Sequence, residues 1–326
     1  MGGEGGWSER TERLEDEGGE AVRGLVGELL RAEGLAEVGD RLEWLRPHRL
    51  LCLRRTRLAV KLVDRSQLSP LQRDVWLARE TRLLALLRHD HLLAERSFSS
   101  HFLSVRLMGL GPWGSLADVL AERPDGLGWC PDARQTLAQL AQGLLYLHNC
   151  AGVAHRNLNA GNVILDEGGN ARLADLAFAT EAGERAAGTE EEEEAEGTEP
   201  GRLSREWWCA EQEYAAPELL LREPYEGPPA DVWALGVLCQ RTLTGTTPYP
   251  PGEELERLCR QLLGLPALPE AARRRPALLR LLSAALRPDP ALRLPIHPLS
   301  QLPFFPPYRL FSPNDLPAFL TNIPTI

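Results

Sequence analysis

Two kinds of hydrophobic pattern divide the chain into an early and a late part. Short apolar runs at Arg49–Leu53 and Leu58–Val63, with charged residues between them, favour a hairpin in a small antiparallel sheet, and Phe102–Met108 is a further strand candidate. Apolar residues over Ser69–Leu87 and Pro131–Leu147 instead recur every three or four positions, which is the spacing of amphipathic helices. A strand-rich part followed by a helix-rich part predicts an α+β protein with two lobes.

Four segments fall outside this succession of compact elements. Residues 1–20 are rich in Gly and Glu and predict a disordered acidic leader, whereas apolar residues at helical spacing predict a helical extension over residues 21–34. Residues 179–205 consist mainly of Gly, Ala, Glu and Thr, with an unbroken row at Glu190–Glu194, and predict a solvated acidic insertion. Residues 306–326 follow a proline-rich stretch and are expected to form a C-terminal tail.

Composition and charge narrow the classes of function. The 326 residues are 43% hydrophobic and 25% charged, which is typical of soluble globular proteins. A formal net charge of −10 argues against a sequence-independent nucleic-acid binder, since such proteins need clustered positive charge. Charged residues interrupt every apolar stretch before the roughly 20 residues that a membrane span needs. The six scattered cysteines have no metal-ligand spacing and indicate a reducing intracellular compartment, the cytoplasm or the nucleus.

Three short motifs carry the candidate chemistry, and their order along the chain matters as much as their content. They are His155–Asn162, Asp175–Ala177 and Ala216–Glu218. In order and spacing they resemble the catalytic loop, the metal-binding motif and the end of the activation segment of protein kinases. Leu58–Lys61 resembles a strand motif of the same family, and Glu80 follows its lysine by 19 residues, the interval of the family's lysine–glutamate ion pair.

The resemblance covers residues 35–305 and implies a bilobal protein-kinase-like fold, with an N-lobe over about 35–108 and a C-lobe over about 113–305. The nucleotide contacts that it implies are Lys61, Glu80, Ala59, Met108 and Ile164. The metal ligands that it implies are Asn162 and Asp175, separated by the family's interval of 13 residues. Structural or regulatory roles fall to His155, Arg156, Glu218, Asp231 and Arg293. ATP and Mg²⁺ are therefore the implied ligands.

Four departures from the family pattern affect nucleotide binding and phosphoryl transfer. Asn157 stands where the family has the aspartate that accepts the substrate's proton, and an amide is far too weak a base for that role. Asn159 stands where the family has a lysine that steadies the γ-phosphate. Only one glycine remains in Gly39–Trp44, the place of the phosphate-binding loop, and Leu176-Ala177 replaces Phe-Gly. The altered loop weighs against tight nucleotide binding, and the two asparagines weigh against catalysis.

The sequence therefore favours a pseudokinase, a signalling scaffold or allosteric regulator that binds partner proteins, with or without nucleotide. The alternative is an atypical Ser/Thr protein kinase that still transfers the γ-phosphate of ATP to protein hydroxyls. Glu190–Glu194 either form an insertion without function or supply Arg156 with the negative charge of a phosphorylated segment. Trp207 and Trp208 fill a substrate groove, dock a partner or pack in the core, and these alternatives stay open. No nucleic-acid or membrane partner is expected.

Overall fold

A computed structural model describes residues 42–45, 50–53, 58–65, 77–99, 103–109, 111–181, 213–221, 225–250, 253–264, 266–311 and 317–320. The expected leader, the expected helical extension, Glu190–Glu194 and the two adjacent tryptophans lie outside these residues. The chain divides into a strand unit, Met1–Val75 with Ala94–Leu110, and a helical unit, Trp76–Leu93 with Gly111–Ile326.

Five strands form one antiparallel sheet in the strand unit, in the order β1-β2-β3-β5-β4. Their bounds are β1 Leu42–Leu45, β2 Leu50–Leu53, β3 Leu58–Asp64, β4 Glu95–Ser99 and β5 Leu103–Gly109. The three strands predicted from apolar runs are confirmed as β2, β3 and β5. Ala59 and Val60 point to opposite faces of β3 and are both fully buried, which explains why this run is apolar without alternation.

Helices dominate the described part of the helical unit. They are α1 Leu77–Leu86, α2 Leu116–Ala121, α3 Pro131–Leu145, α4 Pro217–Leu221, α5 Gly227–Thr244, α6 Glu254–Leu262, α7 Glu270–Arg273, α8 Pro276–Ala285 and α9 Ile296–Ser300. Two strand pairs accompany them, β6 Val153–Ala154 with β9 Thr180–Glu181 and β7 Val163–Leu165 with β8 Ala171–Leu173. A π-helical turn at Tyr146–Ala151 follows α3, and one-turn 3₁₀ segments occur at Ala160–Asn162, Pro290–Leu292 and Ala318–Leu320.

The long helices α3 and α5 carry the largest buried faces of this unit. Pro131 opens α3, where its missing N–H has no helical partner to lose. Leu137, Leu140 and Leu144 on α3 are fully buried, as their spacing predicted. α5 is buried on nearly every side, and Gly245 closes it with a left-handed φ of 71°.

Two boundaries differ from those expected. Helix α1, which falls within the expected N-lobe of about 35–108, belongs by its contacts to the helical unit. Ala179 is fully buried and Thr180–Glu181 form β9, so these residues are not part of a solvated loop that begins at 179. β9 pairs with β6, a strand that is distant in sequence, and local composition carries no sign of that pairing.

The chain packs onto the helical unit beyond the proline-rich stretch expected to end its compact part. Phe311 and Phe319 are buried. The Phe311 N–H donates to Asn170 Oδ1 at 2.6 Å, and the Asn170 side-chain amide donates to the Phe311 carbonyl at 3.0 Å. The Ala318 N–H donates to Asp132 at 2.9 Å. The described residues 306–311 and 317–320 therefore form a docked segment. Among the helices that the structure describes, none has the length and apolarity needed to cross a membrane.

Candidate active site

The catalytic-loop motif connects β6 to β7, and the side chain of Asp231 on α5 holds its backbone. Asp231 is 1% exposed. Its Oδ2 accepts a hydrogen bond from the His155 N–H and its Oδ1 accepts one from the Arg156 N–H, both at 2.7 Å. His148 Nε2 lies 2.8 Å from the same Oδ2. The buried carboxylate therefore satisfies two backbone donors that a tight loop would otherwise leave unpaired.

Arg156 has a backbone conformation that few residues other than glycine adopt, with a φ of 64°. Its guanidinium lies over the Tyr225 ring at 5.3 Å, and Nε and Nη2 donate to the Tyr225 hydroxyl at 3.0 and 2.8 Å. Nη1 donates to the Phe178 carbonyl at 3.2 Å. Arg156 therefore links the loop to the segment after Asp175 and to the residues just before α5.

His155 is fully buried, and its two ring nitrogens have distinct partners. Nδ1 accepts from the Asn157 N–H at 3.3 Å, so the proton lies on Nε2, which donates to the Ala174 carbonyl at 3.0 Å. Burial lowers the pKa of His155 below its usual value, and the charges of Asp231 and Asp175 offset this only in part. Neutral His155 thus ties the loop to the strand end that precedes Asp175.

Asn157 and Asn159 lie next to each other in the loop and are 8% and 5% exposed. The Asn159 side-chain nitrogen donates to Asn157 Oδ1 at 3.2 Å, and Asn159 Oδ1 accepts from the Asn162 N–H at 3.0 Å. Within the described residues, no hydrogen bond of these two side chains involves a carboxylate. The amide oxygen that stands where the family has a carboxylate is therefore already engaged as an acceptor.

Asn162 and Asp175, the expected metal ligands, come from adjacent points of the backbone. The Ala174 N–H donates to the Asn162 carbonyl at 2.9 Å, which brings the residue before Asp175 beside Asn162. The Asn162 side-chain nitrogen donates to the Asn157 carbonyl at 2.8 Å, so its side-chain oxygen is the atom offered to a cation. Asp175 has a left-handed φ of 64°. A positive φ at such a residue costs on the order of 1–3 kcal/mol and is maintained by the surrounding contacts.

The remaining expected nucleotide contacts divide between the two units. In the helical unit, Glu80 on α1 is 3% exposed, and half-buried Ile164 on β7 forms a bridge to Ser115. In the strand unit, Ala59 lies opposite Met108 on β3 and β5. Two residues further along β3, Lys61 lies opposite Arg106. Because directly opposed residues of an antiparallel pair point to one face, these four side chains of the strand unit share a face of the sheet.

Glu218 and Arg293 form a buried, bidentate ion pair at the end of the expected activation segment. Arg293 Nη1 lies 2.5 Å from Glu218 Oε1, and Arg293 Nη2 lies 2.7 Å from Glu218 Oε2. The Arg293 side chain is 1% exposed and the Glu218 side chain is 8% exposed. Arg293 also donates to the carbonyls of Arg287, Pro229 and Pro288. Its guanidinium lies 5.0 Å from the centre of the Trp233 ring. The pair therefore joins α4 to the chain after α8 in the interior.

Residues 51–305 match the family model described as a protein kinase domain. The chain belongs to the protein kinase family. The bilobal α+β fold expected from the sequence is thereby confirmed, with the strand unit and the helical unit as its two parts.

Curated relatives of this kinase domain are Ser/Thr kinases and related kinases. It is 29% identical over 222 residues to serine/threonine-protein kinase kin-29 of Caenorhabditis elegans, covering 66% of this chain and 24% of that protein. It is 28% identical over 206 residues to NUAK family SNF1-like kinase 2 of Rattus norvegicus, covering 63% and 29%. It is 28% identical over 261 residues to CBL-interacting protein kinase 25 of Oryza sativa subsp. japonica, covering 76% and 46%. The matches span less than half of each relative's length.

Protein kinase domains generally bind ATP and Mg²⁺, and several side chains here fit that pair. Mg²⁺ in such sites takes one or two side-chain oxygens and completes its shell with phosphate oxygens and water. The Asn162 amide oxygen and the Asp175 carboxylate match that donor set. Gly39, the remaining glycine of the expected phosphate loop, lies outside the described residues, whereas its neighbours Leu42–Leu45 form β1.

Sequence reasoning missed several residues that shape this kinase domain. Tyr225 accepts hydrogen bonds from Arg156, and His148 lies within hydrogen-bond distance of Asp231. Neither Tyr225 nor His148 belongs to a motif that was recognised in the sequence. Arg106 is 2% exposed and lies directly opposite Lys61. Its charge interrupts the apolar run of β5, and that interruption is the sequence signal that could have identified it. Gly227 leaves room for the loop, because a Cβ there would come within 2.4 Å of the Ala154 Cβ.

Proposed function

We propose that this kinase domain is a pseudokinase, which acts as a signalling scaffold or allosteric regulator by binding partner proteins. The observation that carries the proposal is the buried Asn157 amide in the catalytic loop, which is hydrogen-bonded to Asn159. It supports a site that retains its shape but lacks the group that removes the substrate's proton.

The chemical cost of Asn157 follows from its proton affinity. A general base contributes about 10²–10⁴-fold, or roughly 3–5 kcal/mol of barrier, when it can accept a proton near neutral pH. An amide oxygen accepts hydrogen bonds but not a proton under these conditions. The Asn157 amide oxygen instead accepts from the neutral Asn159 side chain, which supplies no proton acceptor in its place.

Asn159 removes a second contribution to the same step. A cation in this position would oppose the negative charge that spreads over the transferred phosphoryl group. Asn159 is neutral, and its side chain serves the loop through bonds to Asn157 and Asn162. The two asparagines therefore stabilise each other's position and together favour an inert, ordered loop.

The binding part of the site supports a role for nucleotide as a regulatory ligand. ATP with Mg²⁺ supplies the phosphate charge and the metal ion, and the oxygens of Asn162 and Asp175 are the groups of the helical unit that would bind that metal. A ligand that binds one conformation of a protein more tightly than another shifts the population toward it. Partner binding could in this way respond to nucleotide without any chemical step.

Phosphate transfer by the purified full chain tests the proposal. With radiolabelled ATP, Mg²⁺ and a general protein substrate, we expect no transfer, whereas the double substitution Asn157→Asp/Asn159→Lys should raise transfer above background. Adding Asp175→Ala to this double variant should abolish that gain. If the natural chain transfers phosphate and Asp175→Ala removes the activity, the chain is an atypical Ser/Thr kinase and the proposal is wrong.

A further inference from the structure

Helix α6 lies with its polar side toward the protein and its apolar side toward solvent. Arg257 and Gln261 are 3% and 0% exposed, whereas Leu255, Leu262 and the adjoining Leu263 are 71%, 48% and 70% exposed. An amphipathic helix that serves only its own core has the opposite orientation. The exposed leucines therefore need an explanation outside the core of the helical unit.

Specific contacts fix this orientation. The Gln261 side-chain nitrogen donates to the Ala215 carbonyl at 2.9 Å, and both groups are buried. α6 also packs against α4, the helix that carries Glu218. A rotation that buried the leucines would break this hydrogen bond and leave a buried carbonyl without its partner, which costs about 1–3 kcal/mol.

The outward residues form one continuous stripe. Leu255, Cys259 and Leu262 follow one another at intervals of four and three residues, which places them in one row on a helix. Cys259 is an exposed free thiol. Glu256 and Arg260 flank the stripe on one side and form an ion pair at 2.6 Å. Isolated exposed leucines are common on protein surfaces, but a contiguous stripe marks an interaction surface.

We infer that this stripe is a contact between two copies of the chain, related by a two-fold axis near Cys259. When two such helices meet antiparallel about Cys259, Leu255 of each copy faces Leu262 of the other. The same symmetry places Glu256 of each copy beside Arg260 of the other, because both residues flank the stripe on the same side. The surface is thus complementary to itself in the placement of its leucines and of its charges, as a two-fold contact requires.

The small side chain at the centre of the stripe supports the same arrangement. Cys259 separates the two leucines and lets two helices approach closely at their crossing point, where bulky residues would hold them apart. The stripe runs along a helix of only nine residues, roughly 13 Å, and is smaller than the roughly 800 Å² per partner of a standard stable interface. The dimer is therefore weak and depends on concentration.

Sedimentation equilibrium of the full chain tests the contact. We expect the average mass to rise from 36.1 kDa toward twice that value between low-micromolar and submillimolar concentrations. Leu255→Ser/Leu262→Ser should weaken association at least about tenfold. The matched control is Leu292→Ser, since Leu292 is 67% exposed outside α6 and should leave association unchanged. The thermal unfolding midpoint of each variant shows that it is folded.

Charge exchange and cross-linking test the geometry. Glu256→Arg and Arg260→Glu should each weaken the dimer, and the double exchange should restore it. A short bismaleimide should join two chains through Cys259, so Cys259→Ser should abolish the product. Cys150→Ser, which removes another exposed thiol, should not.

A mass that stays at one chain at every concentration would overturn the inference. If Leu255→Ser/Leu262→Ser then lowers the unfolding midpoint of this monomer, the stripe is covered by another segment of the same chain. The inference does not depend on the proposed function, because sedimentation measures the association of two chains whether or not the chain transfers phosphate.

Discussion

Removal of the Glu218 carboxylate is the sharpest stability test that the structure offers. In Glu218→Ala the Arg293 guanidinium would keep its bonds to the Arg287, Pro229 and Pro288 carbonyls but lose its only carboxylate among the described contacts. The charge would stay in the interior, since the Arg293 side chain is 1% exposed. A buried cation without its counter-charge is strongly unfavourable, because neither water nor an anion replaces the lost partner.

The expected magnitude follows from the burial and geometry of the pair. Breaking a buried ion pair by removing one partner costs about 3–5 kcal/mol. One kcal/mol shifts the unfolding midpoint of a domain of this size by about 2–4 °C, so the midpoint should fall by about 6–20 °C. Arg293→Leu should also destabilise the chain, since it leaves the buried Glu218 carboxylate without its cation and removes the bonds that Arg293 donates to three carbonyls. The double variant should cost less than the sum of the two single changes.

Urea unfolding followed by fluorescence measures these losses, and the chain contains a matched surface pair as control. Arg274 Nε lies 2.8 Å from Glu270 Oε1, but these side chains are 78% and 67% exposed. Glu270→Ala should therefore change the free energy of unfolding by less than about 1 kcal/mol. A similarly small loss for Glu218→Ala in a folded chain would refute the reasoning, because the buried pair would then behave as a solvated one.

Two further predictions concern the catalytic loop. Tyr225→Phe keeps the ring under Arg156 but removes the hydroxyl that accepts two of its hydrogen bonds, so we expect a loss of about 1 kcal/mol and faster amide hydrogen exchange at residues 155–157; unchanged exchange would contradict the role of Tyr225. Burial lowers the pKa of His155 in the folded chain, so the unfolded chain binds a proton at this histidine more readily than the folded chain does. The free energy of unfolding should therefore be at its full value above about pH 6.5 and decrease as the pH falls below it. Thermal unfolding between pH 8 and pH 5 should show this slope, and the slope should be flatter in His155→Gln; equal slopes in the two chains would contradict the prediction.

The sequence predicted well the features that depend on local periodicity and motif spacing. Apolar runs located β2, β3 and β5, and the leucine spacing located the buried face of α3. Motif spacing singled out Asp231 and Arg293, and in the structure Asp231 accepts from the His155 N–H while Arg293 pairs with Glu218. These features are predictable because the information lies within a few residues or within a fixed interval.

Features that depend on long-range partners were not predictable. The period of α6 reveals a stripe of leucines but not which side faces the core, since that choice depends on the Ala215 carbonyl far away in sequence. The pairing of β9 with β6 and the hydrogen bonds of Tyr225 have the same origin. The predicted acidic insertion likewise began too early, at Ala179. Glycine and alanine occur both in solvated loops and in tightly packed turns, so composition alone does not separate the two.

The support that Asp231 gives to the catalytic loop reaches the main chain and not the side chains at its tip. Because Asp231 accepts from the N–H groups of His155 and Arg156, the start of the loop keeps its backbone position independently of the side chain at position 157. Position 159 is more constrained, since the Asn159 side chain accepts from the Asn162 N–H and caps the turn at Ala160–Asn162. A replacement at position 157 therefore alters the chemistry of the site more than its fold, whereas a replacement at position 159 must also preserve or rebuild that turn.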